Sequence, residues 1–176
     1  MICELQSIQF NSLTKNEILT FFLNMYQVMH VHKVIRDKQT GAKAGGVFSR
    51  IMSLFRPDPT EMTYNLGQLY FGVEDIKHGI LRNNKKSPSA YFFKNLSASD
   101  SRANLVHVDD PRVVLVLLDE NQVPKRLETF TSKDTDEKLD KHCKNLLSST
   151  VIYDPNENEL IIPNIFKTYK GDFGNQ

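Results

Sequence analysis

The sequence predicts one α+β domain, in which a small, mostly antiparallel sheet packs against a long central helix and a second, amphipathic helix. Three observations carry this. A long stretch beginning near Ile18 contains neither Gly nor Pro and is apolar almost all round. The segment VVLVLL is a continuous apolar run of strand-forming residues. Two pairs of short apolar stretches are separated by turn-forming residues, as in hairpins. At 176 residues the chain fits a single domain over 1–176, long enough to bury a full core.

The first helix starts at a capping box, Thr14 and Glu17, in which each side chain satisfies a free amide of the turn. ILTFFLNMYQVMHVHKVIRD then reads as a helix to about Lys38 that is buried on most faces. Its polar members, Asn24, Tyr26, Gln27, His30 and His32, therefore need partners inside the fold. Residues 39–61 contain Gly, Ser and Pro and read as a connecting excursion with one short helix, VFSRIMSLF. MTYNLGQLYFGV reads as two short strands around Gly67, stopped at Gly72. Glu74 and Asp75 then suit the start of a short helix through IKHGILR. Residues 83–109 are polar and irregular apart from the aromatic cluster Tyr91, Phe92 and Phe93.

VVLVLL, residues 113–118, reads as a strand buried on both faces at the sheet centre and ending at the turn Asp119-Glu120-Asn121. Thr131 or Ser132 caps a helix to about Ser148, on which Leu139, Cys143, Leu146 and Leu147 form one apolar face. TVIY and ELIIP flank DPNEN as a hairpin, and NIFKTYKGDF closes the chain as a short helix after Pro163.

Composition narrows the function. The 22 basic and 21 acidic residues leave a net charge of +1, which gives no global field toward nucleic acid or anionic lipid. No apolar run approaches the ~20 residues of a membrane span, and the N-terminus lacks the basic and apolar regions of a secretory signal. Cys3 and Cys143 make no disulfide framework and suit a reducing, cytoplasmic setting. No phosphate-binding glycine loop is present. In DPNENELIIPNI, Asp154, Asn156 and Asn158 match calcium-loop positions, but Glu159 and Ile165 stand where the loop needs Gly and Glu, so the segment reads as a hairpin turn. His30 and His32, two residues apart on a helix, point apart, and no metal set is read. No cofactor is expected.

Several segments together resemble the domain of unknown function 547 family. FFLNMYQVMHVH is similar to an opening signature of an aromatic pair, Asn-x-Tyr-Asn and a His five residues on. YNLGQLYFGVEDIKHGILR resembles a hairpin leading into Asp-Ile-Glu-His-Gly-Ile-Leu-Arg, and DSRANLVHVDDPRVVLVLL resembles two Asp/Ser-x-Arg units before a buried strand. IFKTYKGDFG resembles the closing motif, so the likeness spans about residues 14–174. By analogy it implies a papain- or transglutaminase-like core. The departures are informative. Family members often carry a His two positions after Asp-Pro-Arg and a Cys at the end of the following strand, where this chain has Val114 and Asp119. The Asn after Tyr26 is Gln27, whereas Asn24, Tyr26, His32, His78 and Arg112 are retained.

Thiol catalysis requires a thiolate beside an oriented base. Cys143 lies on the core face of its helix and Cys3 in the N-terminal segment, so neither fits, and Asp119 cannot replace a thiol in acyl transfer. No catalytic residue is assigned. Asn24, Tyr26, His32, His78, Arg112 and Asp119 form a candidate residual pocket, with core hydrogen bonding as the competing role of the two histidines. Arg82, Lys85, Lys86 and Lys94 around the aromatic cluster read as a solvated loop rather than a nucleic-acid surface, and Tyr91, Phe92 and Phe93 form a candidate protein interface. The expected function is a non-catalytic interaction or scaffolding module, within a larger protein or assembly. The alternative is a hydrolase or transferase with a degenerate site using His78 or His32 with Asp119.

Overall fold

A computed structural model of the chain describes residues 2–40, 62–88, 95–106, 109–117 and 127–174. The element order is α1 (Ile2–Leu5), a 3-10 turn (Phe10–Ser12), α2 (Lys15–Thr40), the hairpin β1 (Tyr64–Leu66) and β2 (Leu69–Phe71), and a π-helical segment (Asp75–Ile80). A 3-10 helix (Ser101–Leu105), α3 (Arg112–Val116), α4 (Thr135–Thr150), the hairpin β3 (Ile152–Asp154) and β4 (Glu159–Ile161), and α5 (Ile165–Thr168) with a last 3-10 turn (Lys170–Asp172) complete it. The fold class is α+β, and among the described residues the strands form two separate antiparallel pairs. Among the described residues no helix is long and apolar enough to cross a membrane.

The capping box forms: the Glu17 carboxylate accepts the Thr14 backbone N–H and hydroxyl, both at 2.8 Å, while Thr14 Oγ1 accepts the Glu17 N–H at 3.3 Å. The helix it starts is buried on several sides, through Ile18, Phe22, Leu23, Met25, Tyr26, Met29 and Val34. Phe22 stacks on Phe10 with ring centroids 5.5 Å apart and meets Phe71 of β2 at 5.3 Å. That trio joins the N-terminal turn, α2 and the first hairpin into one apolar core.

Residues 113–116 correct the sequence reading. Val113 to Val116 are buried as expected, but they lie in the helix Arg112–Val116 and not in a central strand. A continuous apolar run has no period that separates a buried strand from a buried helix. Local chemistry decides it, because the Asp110 carboxylate accepts the Arg112 N–H at 2.9 Å and the Asp110 carbonyl accepts the Val113 N–H, which turns the chain into a helix after Pro111. The second helix also starts later than expected. Residues 131–134 form a turn, in which the Asp134 carboxylate accepts the Thr131 N–H at 2.7 Å, and the helix runs Thr135–Thr150. The expected helix within 39–61 lies outside the described residues, apart from the end of α2 at Thr40.

Two Asp-x-Arg units share one geometry. Asp100 and Asp110 each accept the backbone N–H of the Arg two residues on, at 2.9 Å, and grip its guanidinium with both oxygens. The outward Nη1 of Arg102 donates to Asp75 at 2.5 Å and to the Tyr70 carbonyl at 2.8 Å. Nη2 and Nη1 of Arg112 reach Asp136 at 2.7 Å and Asp140 at 2.6 Å on α4. Each unit therefore starts a short helix and staples it to a neighbouring element.

The β1–β2 turn supplies a test. Gly67 sits at φ +56°, and a Cβ there would stand 2.7 Å from both the Ile8 carbonyl oxygen and the Phe10 ring. Gly67→Ala should lower the unfolding free energy by about 1–3 kcal/mol, read as a reduced urea midpoint. An unchanged midpoint would contradict the packing of this turn.

Candidate functional site

Three polar residues on one stripe of α2, Thr20, Asn24 and Gln27, fall at i, i+4 and i+7. Asn24 donates to the Phe130 carbonyl at 2.8 Å and accepts the Phe130 N–H at 2.9 Å. Gln27 repeats the arrangement with Glu128, at 2.7 Å and 3.1 Å. Thr20 and Thr135 hydroxyls meet at 2.7 Å, and because Thr135 donates to the Thr131 carbonyl, Thr20 is the donor of that pair. The stripe thus binds the backbone of residues 128–130 and the first turn of α4.

Of the other residues proposed from the sequence, Tyr26 is buried against the His30 ring, with centroids 5.7 Å apart. His32 Nδ1 is hydrogen-bonded to the Tyr64 hydroxyl on β1, and burial pushes that phenol above its ordinary value. His78, in the π-helical segment, is buried between Glu74 and Arg82. Arg112 is held by Asp110, Asp136 and Asp140. Asn24, His32, His78 and Arg112 therefore engage four different sets of partners. Asp119, and the aromatic cluster Tyr91, Phe92 and Phe93, lie outside the described residues.

A cleft of about 580 Å³ opens beside the C-terminal end of α3, lined by Gln27, Val116, Glu128, Lys138, Lys141 and His142 among others. The sequence reading did not single out His142, whose Nδ1 lies 3.9 Å from the Glu128 carboxylate. Lys138 is tied down by the Asp134 carboxylate at 2.8 Å and the Thr129 carbonyl at 2.5 Å. A base and a carboxylate are thus present on the rim, but the adjacent thiol faces elsewhere. Cys143 is buried, with Sγ directed at the Arg112 carbonyl at 3.8 Å, because successive residues on a helix point about 100° apart. Burial pushes its thiol above the ordinary value, with Arg112 opposing and Asp110 and Asp140 adding to the rise.

The third feature is apolar. On the second hairpin Ile152, Tyr153, Leu160, Ile161 and Ile162 are each more than half exposed, Leu160 at 62%. Tyr153 pairs with Leu160 and Ile152 with Ile161, so the two pairs lie on opposite faces of the ladder. Its turn is the expected one: the Asp154 carboxylate accepts the Asn156 N–H at 2.9 Å, and Asn158 takes φ +55°. The sequence marks this hairpin, but only the structure shows both faces in solvent.

A family model described as "Protein of unknown function, DUF547" matches residues 10–147. No curated protein and no solved structure matches the chain. The matched part ends within α4, so the exposed hairpin and the C-terminal turn lie beyond it.

The buried thiol gives the test for this site. In a Cys3→Ser background, Cys143 should react with a thiol reagent on the order of 100-fold more slowly in the folded chain than after denaturation. Comparable rates would place the thiol in an accessible, activated site.

Proposed function

We propose that this chain, which belongs to the DUF547 family of proteins of unknown function, is a non-catalytic protein-interaction module, scaffolding other proteins or the neighbouring domains of a larger assembly. The observation that carries the reading is the β3–β4 hairpin, whose five large apolar side chains are exposed on both faces. An isolated two-stranded hairpin is marginal in water and gains stability from a covering surface, and contiguous exposed apolar residues mark association sites. Among the described residues no third strand joins the pair, and its edges offer backbone groups suited to strand addition.

The pocket chemistry supports the same reading. Both ring nitrogens of His78 and one of His32 are committed to hydrogen bonds, and the Cys143 thiol is turned into the core with its pKa raised. These are the marks of a pseudoenzyme that keeps the fold motifs and uses their polar residues structurally. A free, buried Cys143 also fits a cytoplasmic setting.

The test compares three forms of the chain as bait: wild type, a Tyr153→Ser/Leu160→Ser/Ile162→Ser variant, and a Tyr91→Ser/Phe92→Ser/Phe93→Ser variant. The hairpin variant should lose the captured partner while its thermal unfolding shifts little, because exposed substitutions change stability by about 0.5 kcal/mol or less. Loss confined to the aromatic variant would move the interface there. Full retention by both, or turnover of an ester or amide substrate abolished by His78→Gln, would overturn the proposal.

A further inference from the structure

Glu74, His78 and Arg82 recur at intervals of four along the π-helical segment and its exit, and they end on Asp172, ninety residues beyond Arg82. His78 Nε2 lies 3.1 Å from the Glu74 carboxylate, and Nδ1 meets Arg82 Nη1. Arginine only donates, so Nδ1 carries the lone pair and Nε2 carries the proton. The remaining guanidinium nitrogens grip Asp172 in a fork, Nε to Oδ1 at 3.1 Å and Nη2 to Oδ2 at 2.7 Å, and Nη1 also donates to the Lys86 carbonyl. The Tyr169 ring covers the guanidinium, 4.6 Å from its carbon. Both side chains of the Arg82–Asp172 pair are 4% exposed, whereas no residue of α5 itself is buried. This pair is therefore a principal anchor of the C-terminal turn.

We propose that Glu74–His78–Arg82–Asp172 is an acid-sensitive latch: a second proton on His78 breaks its hold on Arg82 and releases residues 165–173 from the body of the fold. The only ring position open to that proton is Nδ1, which faces the guanidinium. Protonation turns an acceptor into a donor and places two cations in contact in a buried site. The charged groups around the imidazole are Glu74, Lys77 and Arg82 from its own segment and Asp172 from the C-terminal turn through Arg82, with Lys33 of α2 acting on Glu74. Burial pushes the imidazole below its ordinary value of about 6.5; Glu74 pulls it up, Arg82 and Lys77 push it further down, and the net shift is downward. A lowered value means that the stabilisation is complete above about pH 6.5 and is lost as pH falls through the folded-state value.

The latch goes beyond the interaction role and needs no partner for its test, so either can fail without the other. The hairpin β3–β4 lies in the chain between α4 and the latch, which makes acid release a means of altering how the hairpin is presented.

Hydrogen exchange of the full chain reads the opening directly, at the Tyr169, Asp172 and Phe173 amides, which donate to Ile165, Tyr169 and Lys170 carbonyls. After correction for intrinsic rates, their protection should fall on the order of tenfold or more between about pH 7.5 and 5 while α2 amides stay protected. His78→Gln keeps one donor toward Glu74 and one acceptor toward Arg82 without a titrating group, so its protection should be flat over that range. Glu74→Gln, at a side chain 45% exposed, keeps the acceptor and removes the charge that favours imidazolium, so the opening midpoint should drop by about half a pH unit or more. Equal acid opening in wild type and His78→Gln would overturn the latch and assign the transition to a group other than His78. Should His78→Gln fail to fold, a Glu74→Gln midpoint that stays put or rises overturns it instead, as does wild-type protection that does not change.

Discussion

The fold rests on the need of α2 to satisfy the side-chain amides on its packed face. A helix that is apolar almost all round cannot leave the half-buried Asn24 and the buried Gln27 unpaired, since an orphaned buried polar group costs about 1–3 kcal/mol. Both amides take the two backbone groups of one residue apiece, Phe130 and Glu128, more than a hundred positions later. The geometry is demanding. Three residues of helix advance about 4.5 Å, whereas two residues of extended chain advance roughly 6.7 Å. Gln27, longer than Asn24 by one methylene, is suited to bridging part of that difference. Once 128–130 is fixed, the Thr20–Thr135 bond sets the start of α4, and Arg112 then draws α3 onto α4 through Asp136 and Asp140.

This arrangement separates the retention of motifs from the retention of chemistry. Asn24, His32, His78 and Arg112 lie in the segments that resemble the family, and each holds backbone, a phenol hydroxyl or a charged side chain in place. A chain can keep all of them for folding alone. The imidazole and carboxylate beside the open cleft, His142 and Glu128, have the neighbouring thiol on another side of the helix. Binding through exposed apolar surface is the function proposed for such a molecule.

What could be read in advance follows the range of the interactions. The Thr14–Glu17 box, the Gly67 turn and the Asp154 turn are local, and residue type alone determines them. The demand for partners along α2 was also visible, because polar residues on a buried helix require them, although the partners themselves were not. Residues 113–116 misled because an unbroken apolar run carries no period, and the Asp110 cap that makes it a helix is a single carboxylate. The Arg82–Asp172 pair spans ninety residues, and nothing in either local sequence points to the other. Exposure of both hairpin faces was equally hidden, since alternation of side chains shows which residues share a face and not whether anything covers it.

The dependence of the fold on the α2 amides is open to direct measurement through the exchange of the Glu128 and Phe130 backbone amides, which donate to Gln27 and Asn24. They lie outside any helix or strand, where unanchored amides exchange within small local openings. If the seam holds the fold together, both should exchange only on global unfolding, with protection matching that of the α2 core. Fast exchange of the two, with α2 still protected, would show that the segment is loosely laid on the helix and that the account is wrong.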